Sequence, residues 1–328
     1  MEDLFKMAPK LKYCLIGDDR GPNVIDPKKE NAQLSGLYLW SRSFEVHGSG
    51  GEIRPLWRRE ELEDFDIIHV NYTPSNTQLP TVLRQELGEN SSTKIVINVD
   101  LDVRYWGVNW PRYITLMINE IKMADVVFHV EPKGAEILEH IIEKKVNVLE
   151  HPVDVSNIYD YMKKDREPII GTIFHRYFPN TIIPYTTQKK VPLRRVLFGF
   201  QQINRKNIVA NAGMFDQIIP IQPFRENINE MSKCLIGCDL YEGFTFGRTV
   251  VELAALGVPT VCSSTMAASN KLFPFTSVDP YDVYGAEELF FKLYNDEEFC
   301  NEVITYANQN CSQYSIKNSY TKFIEMME

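Results

Sequence analysis

The residues best suited to chemistry lie close together in LYEGFTFGRTVVELAALG, between Leu240 and Gly257. Gly243 and Gly247 interrupt a loop before an apolar helix, and glycine lets a backbone approach a ligand closely. The first N–H groups of such a helix, together with the positive end of its dipole, favour an anion. Arg248 adds a full positive charge at that end. The pattern predicts a diphosphate cradle formed by Gly243, Thr245, Phe246, Gly247, Arg248 and Thr249.

One carboxylate, Glu252, lies on the helix that follows this loop. The run from Thr249 to Glu252 fits the capping-box pattern, in which a Glu at the third helical position accepts from the backbone of the cap residue. A contact with the ligand would also place this carboxylate near the start of the helix. Both interpretations are open, and we include Glu252 among the predicted ligand-binding residues.

Two more acids follow an apolar strand at Asp100-Leu101-Asp102. Carboxylates there can hold Mg²⁺ or Mn²⁺, serve as polar groups in a cleft without a metal, or cap the next helix. Trp106 lies just beyond, where its indole could stack on a sugar or pack in a core. Polar and aromatic residues at or just beyond the strand ends of the first half of the chain are predicted to form one side of a cleft. They are Asp18, Asn71, Asp100 and Trp106.

The first strand of the second half ends at His175 and Arg176. A guanidinium group offers fixed, permanently charged donors that suit a phosphate, whereas an Arg on a surface without a ligand fits the sequence equally well. We predict that both side chains face the same anion as the glycine loop.

The elements that position these groups alternate along the chain. Apolar runs typical of buried parallel strands are separated by amphipathic segments with helical spacing. The runs are KYCLIG, EIRPLW, DFDIIHVNY, TKIVINVDLD, ADVVFHV, VNVLEHPVD, EPIIGTIFH, RRVLFGF, DQIIPIQ, KCLIGCDL and GVPTVCSS. We predict an α/β protein with two Rossmann-like, doubly wound domains facing a cleft. Ligands bind beyond the carboxyl ends of strands in such sheets.

The polar run KKDRE separates the two halves of this pattern and is predicted to be solvated. Residues 1–153 form the predicted first domain and residues 154–311 the second. Residues 312–328 contain an amphipathic helix predicted to pack back on the first domain. Helical spacing also runs through NAQLSGLYLWSRSFEVHG, residues 31–48.

Composition and charge exclude several classes of function. The net charge of -9 argues against a general binder of nucleic acid or anionic membranes. No apolar run approaches the roughly 20 residues that span a bilayer, and no export signal is recognisable, so we expect a cytoplasmic protein. The Gly-x-Gly-x-x-Gly fingerprint of dinucleotide binding is absent. Six cysteines without a zinc pattern predict buried, reduced thiols.

The block from Glu242 to Val261 resembles the nucleotide-sugar-binding half of GT-B glycosyltransferases, especially retaining enzymes of the family-4 type. Those proteins carry Glu-Gly-Phe-Gly, then Glu-Ala-Met-Ala on a helix, then Gly-x-Pro-Val-Val. The matching residues here are Glu242-Gly243-Phe244, Glu252-Leu253-Ala254-Ala255 and Gly257-Val258-Pro259-Thr260-Val261. The segments ADVVFHVEPKGAEIL and EHPVDVSNIYD also resemble the elements that lead into and form the family's interdomain crossing.

The resemblance implies transfer of a hexose from a nucleoside-diphosphate sugar to a hydroxyl acceptor, with retention and without an essential metal or other cofactor. It implies that Glu252 bonds the donor ribose, that the glycine loop holds the diphosphate, and that Glu242 lies near the donor sugar. Arg176 matches a phosphate-binding Arg of the family. Asp100 occupies a strand end where the family often has a histidine, so we predict Asp100, Arg176 and Glu242 as the catalytic residues. The predicted acceptor-binding residues are Asp18, Asn71, Asp100 and Trp106.

Other functions are also open. Nine residues separate Glu242 from Glu252, two more than in the family, so either the loop is longer or Glu242 is not the equivalent acid. A non-catalytic binding subunit would fit that spacing. A sugar-nucleotide epimerase on the same scaffold, or a metal-dependent GT-A transferase using Asp100 and Asp102, are further alternatives. The donor base and the acceptor are not specified by these residues.

Overall fold

A computed structural model describes most residues of the chain. The described ranges are 10–16, 32–54, 57–73, 76–100, 102–106, 111–173, 179–200, 213–220 and 222–327. The predictions for Asp18, His175 and Arg176 lie outside these ranges.

The first domain is built on a parallel sheet with six strands in its described part. The strands are β1 (Lys12–Ile16), β2 (Gly50–Arg54), β3 (Ile67–Asn71), β4 (Lys94–Val99), β5 (Val126–His129) and β6 (Val146–Val148). They lie in the order β2-β1-β3-β4-β5-β6. The helices are α1 (Leu39–His47), α2 (Arg59–Leu62), α3 (Leu79–Leu87), α4 (Ile114–Lys122) and α5 (Pro132–Ile142). The order reverses between β1 and β3, which opens a crevice beyond their carboxyl ends.

The second domain repeats this plan. Its described strands are β7 (Glu167–Ile173), β8 (Arg194–Phe200), β9 (Gln217–Pro220), β10 (Cys234–Asp239), β11 (Thr260–Ser263) and β12 (Ser277–Val278), in the order β12-β11-β10-β7-β8-β9. Its helices are α6 (Val155–Tyr159), α7 (Pro179–Thr187), α8 (Phe224–Met231), α9 (Arg248–Ala255), α10 (Ala267–Leu272), α11 (Val283–Asn295) and α12 (Glu297–Asn310). The order reverses between β7 and β10. Two doubly wound parallel sheets confirm the predicted fold class.

The final helix, α13 (Ile316–Met327), belongs in space to the first domain. Its apolar face joins the cluster that contains Trp40 and Phe44 of α1. The rings of Phe323 and Trp40 lie 5.1 Å apart in an edge-to-face arrangement. This packing buries Trp40 completely.

The segment before α1 differs from its predicted structure. Helical spacing begins near residue 31, yet α1 begins only at Leu39. Ser35 forms an isolated antiparallel bridge with Val153, and Gly36 has φ of 90°, which an α-helix cannot accommodate. The apolar spacing here comes from a buried loop that lies against the interdomain crossing.

Two smaller expectations have clear outcomes. Arg166, in the run predicted to be solvated, donates from Nη2 to the carbonyl of Leu256 at 3.2 Å, so that part of the prediction is wrong. The six cysteines are unpaired, and five of them are buried. Burial raises the pKa of Cys14 to about 12, so its thiol stays protonated.

Within the described residues no helix is long and apolar enough to cross a membrane.

Candidate functional site

A cavity of about 320 Å³ lies between the two domains, at the carboxyl ends of their strands. Seven of the predicted site residues line it, from both domains. They are Asn71, Asp100, Thr245, Phe246, Gly247, Arg248 and Thr249. Leu37, Tyr38, His151 and Asp239 also contribute to the wall. The geometry therefore brings the glycine loop and Asp100 to one site, although the sequence separates them widely.

The start of α9 forms the anion-facing part of this wall. Gly247 precedes the helix with φ of 76°, a left-handed conformation that favours glycine. The first backbone bond of the helix runs from the N–H of Val250 to the carbonyl of Gly247 at 3.0 Å. The N–H groups of Arg248 and Thr249 therefore come before the helical hydrogen bonds begin. They lie where an anion in the cavity would meet them.

The loop before α9 is anchored by its own backbone. The carbonyls of Thr245 and Phe246 accept from the N–H groups of Ala267 and Ala268 at 3.0 and 2.9 Å. A methyl group on Gly247 would lie 3.1 Å from Cβ of Met266, so α10 packs closely on the turn. These contacts hold the loop in place without using its side chains.

Glu252 is a buried carboxylate at the contact between the domains, with 2% of its surface exposed. The hydroxyl of Ser35 donates to its Oε1, and Nε of Arg248 lies 3.4 Å from the same oxygen. Burial raises the pKa of Glu252, although Arg248 and the Ser35 hydrogen bond oppose that shift. The carboxylate is held beside the cradle rather than on the cavity wall itself.

The capping-box interpretation of Glu252 is wrong. The helix begins at Arg248, with Gly247 as its cap residue and no side chain bonded to the cap. Glu252 is consequently the fifth helical residue rather than the third. From that position it bonds Ser35 of the other domain.

Asp102 is part of a clasp between the domains. Its oxygens accept from Nε of Arg104 at 3.0 Å and from Nη2 at 2.5 Å. The carboxylate also accepts from the backbone N–H of Phe244 at 2.8 Å. Arg104 donates to the carbonyl of Glu242 at 3.1 Å and lies over the Phe244 ring. These contacts occupy Asp102 and tie the first domain to the glycine loop.

Asp100 receives hydrogen bonds from two sides. Nε2 of His151 lies 3.0 and 2.9 Å from its two oxygens, and Nδ2 of Asn98 lies 2.6 Å from Oδ1. Burial alone would raise the pKa of Asp100, but His151 and Asn98 hold it below its usual value. Asp100 is therefore an ionised acceptor on the cavity wall.

Besides Glu252, three predicted residues are not on the cavity wall. Trp106 is 2% exposed and packs in the core of the first domain, so its ring is not available to an acceptor. Gly243 lies against Tyr241, whose ring atoms would be 2.5–2.6 Å from an added methyl group. Glu242 is half-buried beside the clasp.

Sequence reasoning missed three residues that matter here. Asp239 is the last residue of β10 and lines the cavity, and an acid at the end of a predicted strand could have indicated it. His151 follows β6 in the crossing segment, and its place after a strand was a comparable signal. Nothing in the pattern around Ser35 points to Glu252, because the contact joins residues 217 positions apart.

Comparisons with known proteins identify the fold. No protein-family profile matches the sequence, and no curated protein matches it. Among solved structures, Alr3699/HepE of Anabaena, solved in complex with UDP, aligns with a TM-score of 0.69 and 13% identity over 97% of this chain and 99% of that chain. An alpha-glucosyltransferase in complex with UDP-glucose and DNA aligns with a TM-score of 0.65 and 14% identity, over 97% and 100% of the two chains.

A third solved structure aligns over a smaller share of both chains. A UDP-forming trehalose-phosphate synthase from Burkholderia xenovorans aligns with a TM-score of 0.64 and 12% identity, over 82% of this chain and 75% of that chain. The chain thus has the GT-B fold, as the sequence predicts. That fold, with two parallel sheets, contradicts the GT-A alternative, and Asp102 is occupied by Arg104 and the glycine loop.

Proposed function

We propose that this protein is a glycosyltransferase that moves a hexose from a nucleoside-diphosphate sugar to a hydroxyl acceptor. One observation carries the proposal: a single interdomain cavity joins the N-terminus of α9 to the ionised Asp100. A helix N-terminus suits a diphosphate, and a carboxylate suits the hydroxyls of a sugar. The UDP and UDP-glucose complexes of proteins with this fold support a uridine donor as the first to test.

In the proposed donor complex, the diphosphate lies against the N–H groups of Arg248 and Thr249 with the Arg248 guanidinium beside it. Glu252, which contacts Arg248 beside the cradle, is proposed to bond the ribose hydroxyls once the Ser35 hydroxyl gives way. Arg176 is proposed as a second cation. The fixed N–H groups stabilise the charge that gathers on the leaving group, and we propose that no metal is required.

The proposed reaction proceeds with retention. The bond between the anomeric carbon and the β-phosphate oxygen breaks, and the acceptor oxygen bonds to the anomeric carbon on the same face. The hydroxyl proton passes to the leaving phosphate oxygen, so that atoms and charge balance. Asp100 accepts a hydrogen bond from a sugar hydroxyl, and its charge stabilises the cationic sugar centre.

The test begins with donor binding and ends with product. UDP, GDP, ADP and TDP sugars are screened by thermal shift, because a ligand of the native state raises its stability. The donor that stabilises the protein is then incubated with candidate acceptors, and the anomeric configuration of the product is read by NMR. Transfer with retention supports the proposal. Absence of binding by every nucleotide sugar contradicts it.

A non-catalytic binding protein is the second candidate, and the position of Glu242 favours it. The acid that matches the family's first glutamate is off the cavity wall, and Arg104 holds its backbone. This candidate predicts stabilisation by a nucleotide sugar with no transfer and no hydrolysis. The wild-type protein, incubated with a nucleotide sugar that stabilises it and with candidate acceptors, separates the two, because product or free hexose forms only if the protein is catalytic.

A further inference from the structure

The geometry points to His151 as a positioning residue that Trp40 fixes in its neutral Nε2–H tautomer and that holds Asp100 as a pure hydrogen-bond acceptor. The substrate side of this inference, a sugar hydroxyl bound by Asp100, rests on the proposed function. The tautomer of His151, and the hydrogen bond from Trp40 that fixes it, do not depend on the proposed function. Neither Trp40 nor His151 was among the residues predicted from the sequence.

Trp40 determines which nitrogen of His151 carries the proton. The indole Nε1 lies 3.0 Å from Nδ1 of His151, and an indole N–H can only donate. Nδ1 of His151 must therefore accept, so the proton of the neutral ring is on Nε2. That nitrogen faces Asp100 at 2.9 and 3.0 Å. Trp40 is fully buried in the cluster with α13, so the donor cannot turn away.

A second set of hydrogen bonds reaches Asp100 from β3 and β4. Nδ2 of Asn98 faces two acceptors, Oδ1 of Asn71 at 2.9 Å and Oδ1 of Asp100 at 2.6 Å. Its own Oδ1 is then directed to Nε2 of His69 at 2.6 Å. Burial lowers the pKa of His69 to about 3, so this ring is neutral and donates from Nε2.

Tyr13 completes this second set. Its hydroxyl contacts Nδ1 of His69, and burial raises the pKa of Tyr13 well above its usual value, so the phenol keeps its proton and donates. Both sets thus end in a donor to Asp100, from Nε2 of His151 and from Nδ2 of Asn98. With its donors supplied from inside the protein, the carboxylate presents only acceptor capacity to the cavity, which favours a hydroxyl ligand over a carbonyl or phosphate.

The second domain closes on this arrangement through the loop that forms the anion cradle. The ring of Phe246 lies 6.2 Å from that of His151 at an interplanar angle of 80°. The side chain of His151 is consequently only 7% exposed. His151 thus contacts both the loop that forms the anion cradle and Asp100. It lies between the groups proposed to bind the donor diphosphate and the group proposed to bind a sugar hydroxyl.

The direct test is the tautomer of His151 in the full-length protein, measured by NMR with ¹⁵N-labelled histidine. The chain has six histidines, and the loss of signals in His151→Gln assigns this one. We expect one protonated nitrogen, Nε2, and one unprotonated nitrogen, Nδ1, near neutral pH. Trp40→Phe keeps an aromatic ring but removes the donor, and is expected to give mixed tautomers. The matched control Trp57→Phe, in a partly buried ring of the other cluster, is expected to leave the signals unchanged.

Activity provides the second readout. Trp40→Phe is expected to lower kcat about tenfold, in line with the loss of one buried hydrogen bond to a network, while KM for the donor stays within about twofold. His151→Gln keeps an N–H donor toward Asp100 and is expected to retain several times the kcat of His151→Leu. This pair decides the question even where Trp40→Phe fails to fold.

Three results overturn the inference. They are a wild-type His151 with its proton on Nδ1 or on both nitrogens, an unchanged kcat in a Trp40→Phe variant with mixed tautomers, or equal kcat in His151→Gln and His151→Leu. The NMR measurement needs no donor or acceptor. If no nucleotide sugar is transferred by the wild-type protein, the proposed function fails while the tautomer result still decides the role of Trp40.

Discussion

Replacing Ser35 by alanine tests the contact that ties the first domain to Glu252. The serine hydroxyl donates to a carboxylate that is 2% exposed, with Arg248 3.4 Å away. A hydrogen bond to a charged group contributes about 1.5–3 kcal/mol. We therefore expect Ser35→Ala to lower the free energy of unfolding by about 2 kcal/mol when Glu252 is ionised.

The effect depends on pH with a defined sign. Burial raises the folded-state pKa of Glu252, so its cost to stability grows as the pH rises from the unfolded pKa to the folded pKa and is constant above the folded pKa. The Ser35 hydrogen bond offsets part of this cost because it favours the ionised form. The destabilisation by Ser35→Ala is therefore expected to be larger near about pH 8 than near about pH 5.

Urea unfolding of wild type and variant at both pH values measures this difference. Ser41→Ala is the matched control, because Ser41 is also buried but donates to the neutral carbonyl of Glu52 at 2.9 Å. Its destabilisation is expected to be smaller and independent of pH. A Ser35→Ala effect that is equal at the two pH values, or no larger than that of Ser41→Ala, refutes the assignment of Glu252 as a charged acceptor.

Two further predictions concern the glycine loop. Gly247→Ala is expected to lower the free energy of unfolding by about 1–2 kcal/mol, because φ is 76° at this position and the new methyl group would meet Met266. The variant is also expected to bind UDP more weakly. Urea unfolding measures the first effect and titration with UDP the second, and a variant as stable as wild type contradicts the backbone strain proposed at Gly247. Asp102→Asn removes the charge that holds Arg104 and weakens the bond from the Phe244 N–H, so hydrogen exchange at that amide is expected to accelerate several-fold; unchanged exchange contradicts the clasp.

The fold could be predicted because its signals are local. Continuous apolar runs such as KCLIGCDL and TKIVINVDLD predicted β10 within one residue at each end and β4 within one residue at its start and three at its end, since parallel strands are buried on both faces. The glycine loop and helix start were predictable for the same reason. The capping-box interpretation placed the cap of α9 at Thr249, two residues after the observed cap Gly247, because glycine at a left-handed cap cannot be distinguished from a Thr cap by pattern alone.

The site was less predictable because its contacts are distant in sequence. Trp106 and Trp40 are both aromatic residues near predicted cleft segments. Trp106 packs in the hydrophobic core of the first domain, whereas Trp40 donates to His151 and orients its ring. The pair Asp100 and Asp102 looks like one motif, yet one carboxylate lies on the cavity wall and the other accepts from the backbone of the glycine loop. Such distinctions depend on how two domains meet.

The most direct test of the central claim is calorimetric titration of UDP into wild type and Arg248→Ala. The Arg248 side chain is about half exposed at the mouth of the cradle, so its loss is not expected to unfold the protein. If α9 and Arg248 hold a diphosphate, wild type binds UDP, and the variant binds it at least about tenfold more weakly, as expected for loss of a charge-assisted contact. No binding to wild type, or equal affinity in the two proteins, contradicts the account.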